Sequence, residues 1–207
     1  MPAPVEHTIL EERAMSSRIP EIEKRRAYRA ISGKPVPDET INRIMEAATL
    51  APSCFNNQPW RFVVIREKKV LDQLKEHLSS GNYWAKTAPF IVAVCTQNDF
   101  DCRLSEGRDY AFFDTGMAVA NMLLQGVREG LHTHPIAGFS PLPIKEILGI
   151  PGEVTLLTLV VFGYPGDKKA LNEKHRESES GPRGRKSIKE NVAFDGWPQS
   201  WDEESPA

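Results

Sequence analysis

Cysteine is scarce in this chain: three in 207 residues, Cys54, Cys95 and Cys102, with no Cys-x-x-Cys spacing. An odd count without that spacing fits a reducing cytoplasm, and neither a disulfide framework nor a four-ligand zinc site. Cys54 is accordingly expected as a small buried hydrophobe rather than as a nucleophile. Long apolar runs are missing as well. The longest, Val154 to Tyr164, is about half the length of a membrane span, so no membrane partner is expected. Met1 to Pro20 holds no apolar stretch of the kind a secretory signal carries, and a cytoplasmic location follows as the expectation. A net charge of −2 leaves no basic footprint for nucleic acid. There is no Gly-x-Gly-x-x-Gly, which argues against a dinucleotide-binding Rossmann unit. Gly184-Arg185-Lys186-Ser187 fails as a phosphate loop, because Arg185 stands where glycine must precede the lysine. No internal repeat and no low-complexity tract occurs.

What is present is an ordinary globular composition, 40% hydrophobic and 26% charged, in a length suited to one domain over 1–207. The pattern predicts a helix over about 19–31, stopped near Gly33 and Pro35. A second begins at Pro37 and Asp38, with Ile41, Ile44, Met45 and Ala48 as its core face and Pro52 as its end. Arg61 to Arg66 reads as a strand, Lys69 to Leu78 as a helix and Phe90 to Cys95 as a buried strand. The strongest helical pattern is 110–129. Phe113, Met117, Ala120, Leu124 and Val127 fall on one face, and Gly130 provides the left-handed stop. Its small residues Thr115, Gly116, Ala118 and Ala120 leave room for a close neighbouring helix. A short helix at 143–148 and a buried strand at 154–163 follow. From 166 to 187 the chain is charged, an arm expected to be mobile or partner-dependent, and 188–201 regains apolar residues suited to docking.

Two segments carry chemistry. Arg25-Arg26-Ala27-Tyr28-Arg29 places three guanidiniums in five residues, and guanidiniums bind phosphate bidentately while keeping their charge. Ala51 to Trp60, Ala-Pro-Ser-Cys-Phe-Asn-Asn-Gln-Pro-Trp, sets amides that both donate and accept between two prolines. Such amides suit a planar heterocycle with alternating carbonyls and ring nitrogens. A phosphate segment plus a ring-edge segment points to a nucleotide-like cofactor; a solvated helix start and a plain polar loop are the competing reading. His132 and His134, two apart, point the same way on a strand, but with no third ligand a metal site is not expected.

Together with Pro135-Ile136-Ala137-Gly138-Phe139 and Gly163-Tyr164-Pro165 with Arg183, Arg185 and Lys186 beyond it, these segments in this order resemble the nitroreductase family of flavin enzymes, over about 18–197. The resemblance implies an α+β fold: a three-layer α/β/α sandwich whose mixed central sheet is flanked by helices. It also implies an intertwined homodimer, with a C-terminal arm at about 166–201 reaching the partner. Non-covalent FMN is the implied cofactor, with NADH or NADPH as transient reductant and a small-molecule electron acceptor. Arg25, Arg26, Ala27 and Arg29, with Arg183 and Arg185, match the phosphate end. Ala27 departs from the serine usual there. Pro52, Ser53, Asn56 and Gln58, and more loosely Asn82, match the ring edge. Pro135, Ile136, Ala137 and Gly138 match a turn whose Ala137 and Gly138 amides approach N5. Gly138 is expected to allow a close approach because it lacks a Cβ. No acid–base residue is implied. The implied activity is ping-pong reduction of a nitroaromatic, quinone or enone-like acceptor; a flavin carrier, or a relative that destroys flavin or removes halogen, are the alternatives.

Overall fold

The computed structural model describes residues 18–201. A four-stranded sheet lies at its centre, built from β1 (Arg61–Ile65), β2 (Phe90–Thr96), β3 (His132–Ile136) and β4 (Thr155–Gly163) in the order β1-β2-β4-β3. Every pairing is antiparallel, with Phe62 opposite Val94, Phe90 opposite Phe162 and His134 opposite Val161. The expected mixed sheet is thus corrected to an antiparallel one among the described residues. The β1–β2 and β3–β4 connections return the chain at the end of the sheet it left, whereas β2 and β3 run the same way and are joined by a crossover, so that β4 between them runs against both.

The sheet is buried on both faces because alternate residues of β2 feed two separate cores. On one face Ile91, Ala93 and Cys95 of β2, with Leu159 and Val161 of β4, pack on α3 (Lys68–Lys75) and α5 (Pro141–Leu148) through Leu71, Leu74 and Ile144. On the other face Phe90, Val92, Val94, Val160 and Phe162 pack on α2 (Asp38–Thr49) and α4 (Tyr110–Arg128) through Ile41, Ile44, Ala48 and Met122. The rings of Phe90 and Phe162 stack at 4.8 Å. Each such buried side chain contributes about 1.5–3 kcal/mol. Helices on both faces give the expected three-layer α/β/α sandwich of α+β class.

Two features of α4 matter for the site. At Gly126 a Cβ would lie 2.5 Å from Thr133 Cγ2 and 2.9 Å from Phe162 Cε1, so only glycine lets the helix lie this close to β3 and β4. The buried face is Ala111, Asp114, Thr115, Ala118, Met122 and Gly126, one position away from the expected stripe, and Phe113 is 62% exposed. Thr115 and Ala118 therefore turn into this chain's own core rather than toward another chain, and α2 packs on α4 within the same chain. No helix among the described residues is long and apolar enough to cross a membrane.

The first helix is shorter than expected: α1 covers only Pro20–Lys24, and 25–30 is irregular chain leading to a bridge between Ile31 and Pro165. The charged arm also differs from expectation. Its Glu173–Ser180 forms helix α6, which docks on this chain's own 26–30 segment. Asn172 caps α6 by accepting from His175 N–H at 2.9 Å.

Candidate active site

The 25–30 segment is held open along the edge of β3. His132 and His134 each direct Nδ1 at a main-chain oxygen, that of Ala30 at 3.1 Å and of Tyr28 at 3.0 Å. A carbonyl only accepts, so both rings carry their proton on Nδ1. Tyr28 stacks on His132 at 4.2 Å, and Trp84 stacks on His134 at 4.7 Å. Burial, with Arg29 and Arg25 close by, pushes His134 down to about 4, and His132 is lowered mainly by burial. Both imidazoles are thus neutral clamps, a role the sequence reading did not assign. Their in-phase spacing on a strand was the available signal.

From the other side α6 inserts Glu179, which is 4% exposed. Its Oε1 accepts from the N–H of Arg29 and, at 2.8 Å, from that of Ala30, while Oε2 is buried with no partner among the described residues. Arg26 reaches back to the carbonyls of Ser178 at 3.3 Å and Gly181 at 2.9 Å. Arg183 donates to those of Ile22 at 3.0 Å and Glu23 at 3.1 Å. These contacts close a cavity of about 190 Å³ that brings Arg25, Arg26, Ala27 and Arg29 together with Arg183 and Arg185, across some 150 residues of chain. The Arg25 guanidinium is held below its ordinary value by burial, then by the charges of Arg183 and Arg185. The cavity therefore concentrates more positive charge than Glu179 offsets, which is the electrostatic condition for an anion. Ala27 lines it without a hydroxyl, so position 27 offers no side-chain donor, while Tyr28 and Ser178 are the hydroxyl-bearing residues of the lining.

The amide loop is shaped by an unusual backbone. Phe55, Asn56 and Gln58 have φ of 48°, 59° and 51°, a left-handed region that costs a bulky residue such as phenylalanine most. Ser53 Oγ accepts from Gln58 N–H at 2.9 Å, and Gln58 Nε2 donates to Asn56 O at 3.2 Å. The loop is anchored from outside by Asp114 on α4, whose Oδ2 accepts from Cys54 N–H at 2.6 Å. Asp114 is 1% exposed; burial raises its carboxyl above the usual range, the Cys54 N–H opposes this, and Asp101 raises it further. An acid on the inner face of an apolar helix was the missed signal here. Pro52, Asn56 and Gln58 are exposed and Ser53 half-buried.

Cys54 corrects the sequence reading. It is half-buried and disulfide-bonded to Cys102, across 48 positions, while buried Cys95 is the free thiol. The turn after Ser53 lays Cys54 against the segment before α4, a juxtaposition that spacing along the chain does not reveal. Cys54, Asp101 and Cys102 place ligand-type atoms within 4.8 Å of one another, but sulfurs bonded together are not available as thiolate ligands.

Of the four residues expected in a turn, Pro135 and Ile136 are paired with Val160 and Leu159 as the end of β3, and only Ala137 and Gly138 lie in the turn after it. The Gly138 carbonyl accepts from Ser79 N–H at 3.0 Å and from Asn82 Nδ2 at 2.8 Å. A Cβ on Gly138 would meet that Nδ2 at 2.7 Å and Ser79 Oγ at 3.2 Å. The space a Cβ would take is therefore filled by this chain's own Asn82 and Ser79, and Asn82 braces the turn through its Nδ2. Within one chain, the arginine cavity and this turn share the β3 edge. The amide loop is instead anchored at Asp101, Cys102 and Asp114, with Arg61 and Thr96 donating to its Gln58 and Pro59 carbonyls.

Comparison with known proteins fits this arrangement. A putative NADH dehydrogenase/NAD(P)H nitroreductase of Archaeoglobus fulgidus is 34% identical over 155 residues, covering 72% of this chain and 86% of its own. Iodotyrosine deiodinase 1 of Rattus norvegicus is 27% identical over 204 residues, 83% of this chain and 73% of its own. The crystal structure of an oxidoreductase containing FMN superposes with a TM-score of 0.77 at 32% identity, covering 87% of this chain and 92% of that one. The model of the nitroreductase family matches residues 22–82 and 79–164, which take in the arginine segment, the amide loop and the turn after β3, and the chain belongs to that family.

Proposed function

We propose that this chain is an FMN-dependent NAD(P)H oxidoreductase that reduces a small acceptor of nitroaromatic, quinone or enone type, working as a cytoplasmic homodimer. The observation that carries the reading is the arginine cavity, where Arg25 is crowded by Arg183 and Arg185 with too little counter-charge. A phosphate relieves that repulsion and takes charge-assisted hydrogen bonds from a planar fork. The residues fit the group. Arg25, Arg29 and Arg185 would hold the phosphate, with Arg26 and Arg183 bracing the cavity walls through their carbonyl contacts. Ser53, Asn56 and Gln58 would present hydroxyl and amide groups to the ring edge, and the Ala137 and Gly138 main chain would face N5. When bound, FMN would supply two-electron transfer between NADH or NADPH and the acceptor.

The amide loop and the arginine cavity are anchored to different parts of one chain, which supports a site shared between two subunits. Exposed apolar surface supports the same view: Leu50, Phe55 and Phe113, with Phe194 and Trp197 near the C-terminus, are 62–90% exposed. Heat release of the bound flavin followed by chromatography tests the cofactor. FMN is expected; FAD, or a colourless protein that ignores added FMN, refutes the reading. Bleaching by NAD(P)H followed by turnover with an acceptor panel separates an enzyme from a carrier.

A further inference from the structure

Besides Arg61 and Thr96, which donate to the Gln58 and Pro59 carbonyls, three contacts tie the amide loop to the segment before α4 and to α4 itself. Cys54 N–H donates to buried Asp114 at 2.6 Å, Asn57 Nδ2 donates to Asp101 Oδ1 at 3.2 Å, and Cys54 Sγ is bonded to Cys102. What they hold is a run with left-handed Phe55, Asn56 and Gln58, a conformation that persists only where its surroundings enforce it. Of the three ties only the sulfur bond can be made and broken by chemistry. Cys54 and Cys102 are both half-buried and within reach of a small thiol, whereas Cys95 lies 1% exposed inside β2 with its thiol pushed up to about 11 by burial. A thiol so placed does not exchange.

We propose that Cys54 and Cys102 form a reversible dithiol–disulfide site, reduced by a dithiol donor, whose state sets how firmly the loop 53–58 is held for the cofactor. Its link to the cofactor rests on the flavin reading. The exchange balances as follows. A donor thiolate attacks Cys54 Sγ, the bond between the two chain sulfurs breaks, and its electron pair leaves on Cys102. Asn57 Nδ2, 3.6 Å from Cys102 Sγ, favours that sulfur as the leaving group. The donor's second thiol then displaces Cys54. One disulfide is formed in the donor, and two electrons and two protons remain on the chain as two thiols. With the tie gone, the left-handed residues relax and the loop keeps its hydrogen bonds to Asp114, Asp101 and, through the Gln58 carbonyl, Arg61.

The test compares full-length protein equilibrated with oxidised or with reduced dithiothreitol. Thiols titrated after denaturation should number one in the oxidised form, Cys95, and three in the reduced form. Amide hydrogen exchange over 53–58 should quicken on reduction, and the Kd for FMN should rise roughly tenfold, the loss of one loop anchor. A Cys54→Ser/Cys102→Ser variant should sit at the reduced values and ignore dithiothreitol. Three thiols in the oxidised preparation, or equal exchange of the loop in both forms, overturns the proposal. A loop that loosens while FMN binds equally well overturns the link to the cofactor. If the loop loosens but neither form binds FMN, the flavin reading fails and the redox site stands.

Discussion

Glu179 separates two roles that a buried carboxylate among arginines can play. It positions the 29–30 main chain through two accepted hydrogen bonds, and it is the counter-charge lining the cavity beside Arg25, Arg29, Arg183 and Arg185. Glu179→Gln keeps an acceptor oxygen and the side-chain shape but removes the charge. Glu179→Ala removes both. For a pair of unit charges near a protein surface the Coulomb term is about 4 kcal/mol at about 4 Å and half that at twice the distance. Loss of the counter-charge therefore costs the flavin-free protein on the order of 1–2 kcal/mol after local relaxation, because the guanidiniums are left to repel one another. The same change favours a phosphate, which no longer meets a carboxylate. Glu179→Gln is thus expected to lower the Tm of the flavin-free protein by roughly 2–8 °C, at about 2–4 °C per kcal/mol for a chain of this size. Its FMN affinity should rise severalfold, so that added FMN restores more Tm than in the parent. Glu179→Ala leaves two main-chain donors without their carboxylate, at about 1.5–3 kcal/mol for each charge-assisted bond. It should destabilise more and weaken FMN, because Arg29 is no longer held in place. Thermal melts with and without FMN, together with flavin-fluorescence titration, read both quantities. If both variants weaken FMN equally, the carboxylate is only a positioning group and the counter-charge argument is refuted.

Three further outcomes follow from the same geometry. Arg25→Ala should weaken FMN by one to two decades, the value of a charge-assisted contact of about 1.5–3 kcal/mol. Arg183→Ala should chiefly lower Tm, since its guanidinium holds the Ile22 and Glu23 carbonyls; equal effects on FMN from the two substitutions would place the phosphate elsewhere. His134 is lowered from 6.5 to about 4 in the folded chain, so below pH 6.5 the unfolded chain binds more protons. Stability should be full above pH 6.5 and fall as pH drops toward 4, by up to about 3 kcal/mol from this residue. Denaturant titrations across that window should show the slope, and His134→Gln should flatten it. Mixing a subunit defective at Arg25 and Arg29 with one defective at Asn56 and Gln58 should restore part of the FMN binding if each site is shared. Confirmed subunit exchange without rescue refutes sharing.

The order of the motifs made the family legible; apolar runs found β1, β2 and β4, and proline, aspartate and glycine signals found the ends of α2 and α4 and the C-terminal end of α5. What these signals missed was decided by contacts between distant segments. The run from Arg25 to Ala30 has helix-forming residues, yet it is extended because His132 and His134 take its carbonyls and Glu179 takes its N–H groups. Four hydrogen bonds across more than a hundred residues outweigh a local preference worth a few tenths of a kcal/mol per residue. The stripe on α4 was displaced because Asp114 and Gly126 carry no apolar signal, though both are on the inner face: one to hold Cys54, the other to let β3 approach. Helix α6 reads as Glu-Lys-His-Arg-Glu-Ser-Glu-Ser, solvated on any pattern, and only its docking shows that one of its three glutamates closes the arginine cavity. The residues that bind a ligand were therefore visible as composition, whereas those that aim them were not. An aiming residue is chosen for where the chain brings it, and for such a residue polarity in an apolar face or burial in a polar one is the trace left in the sequence.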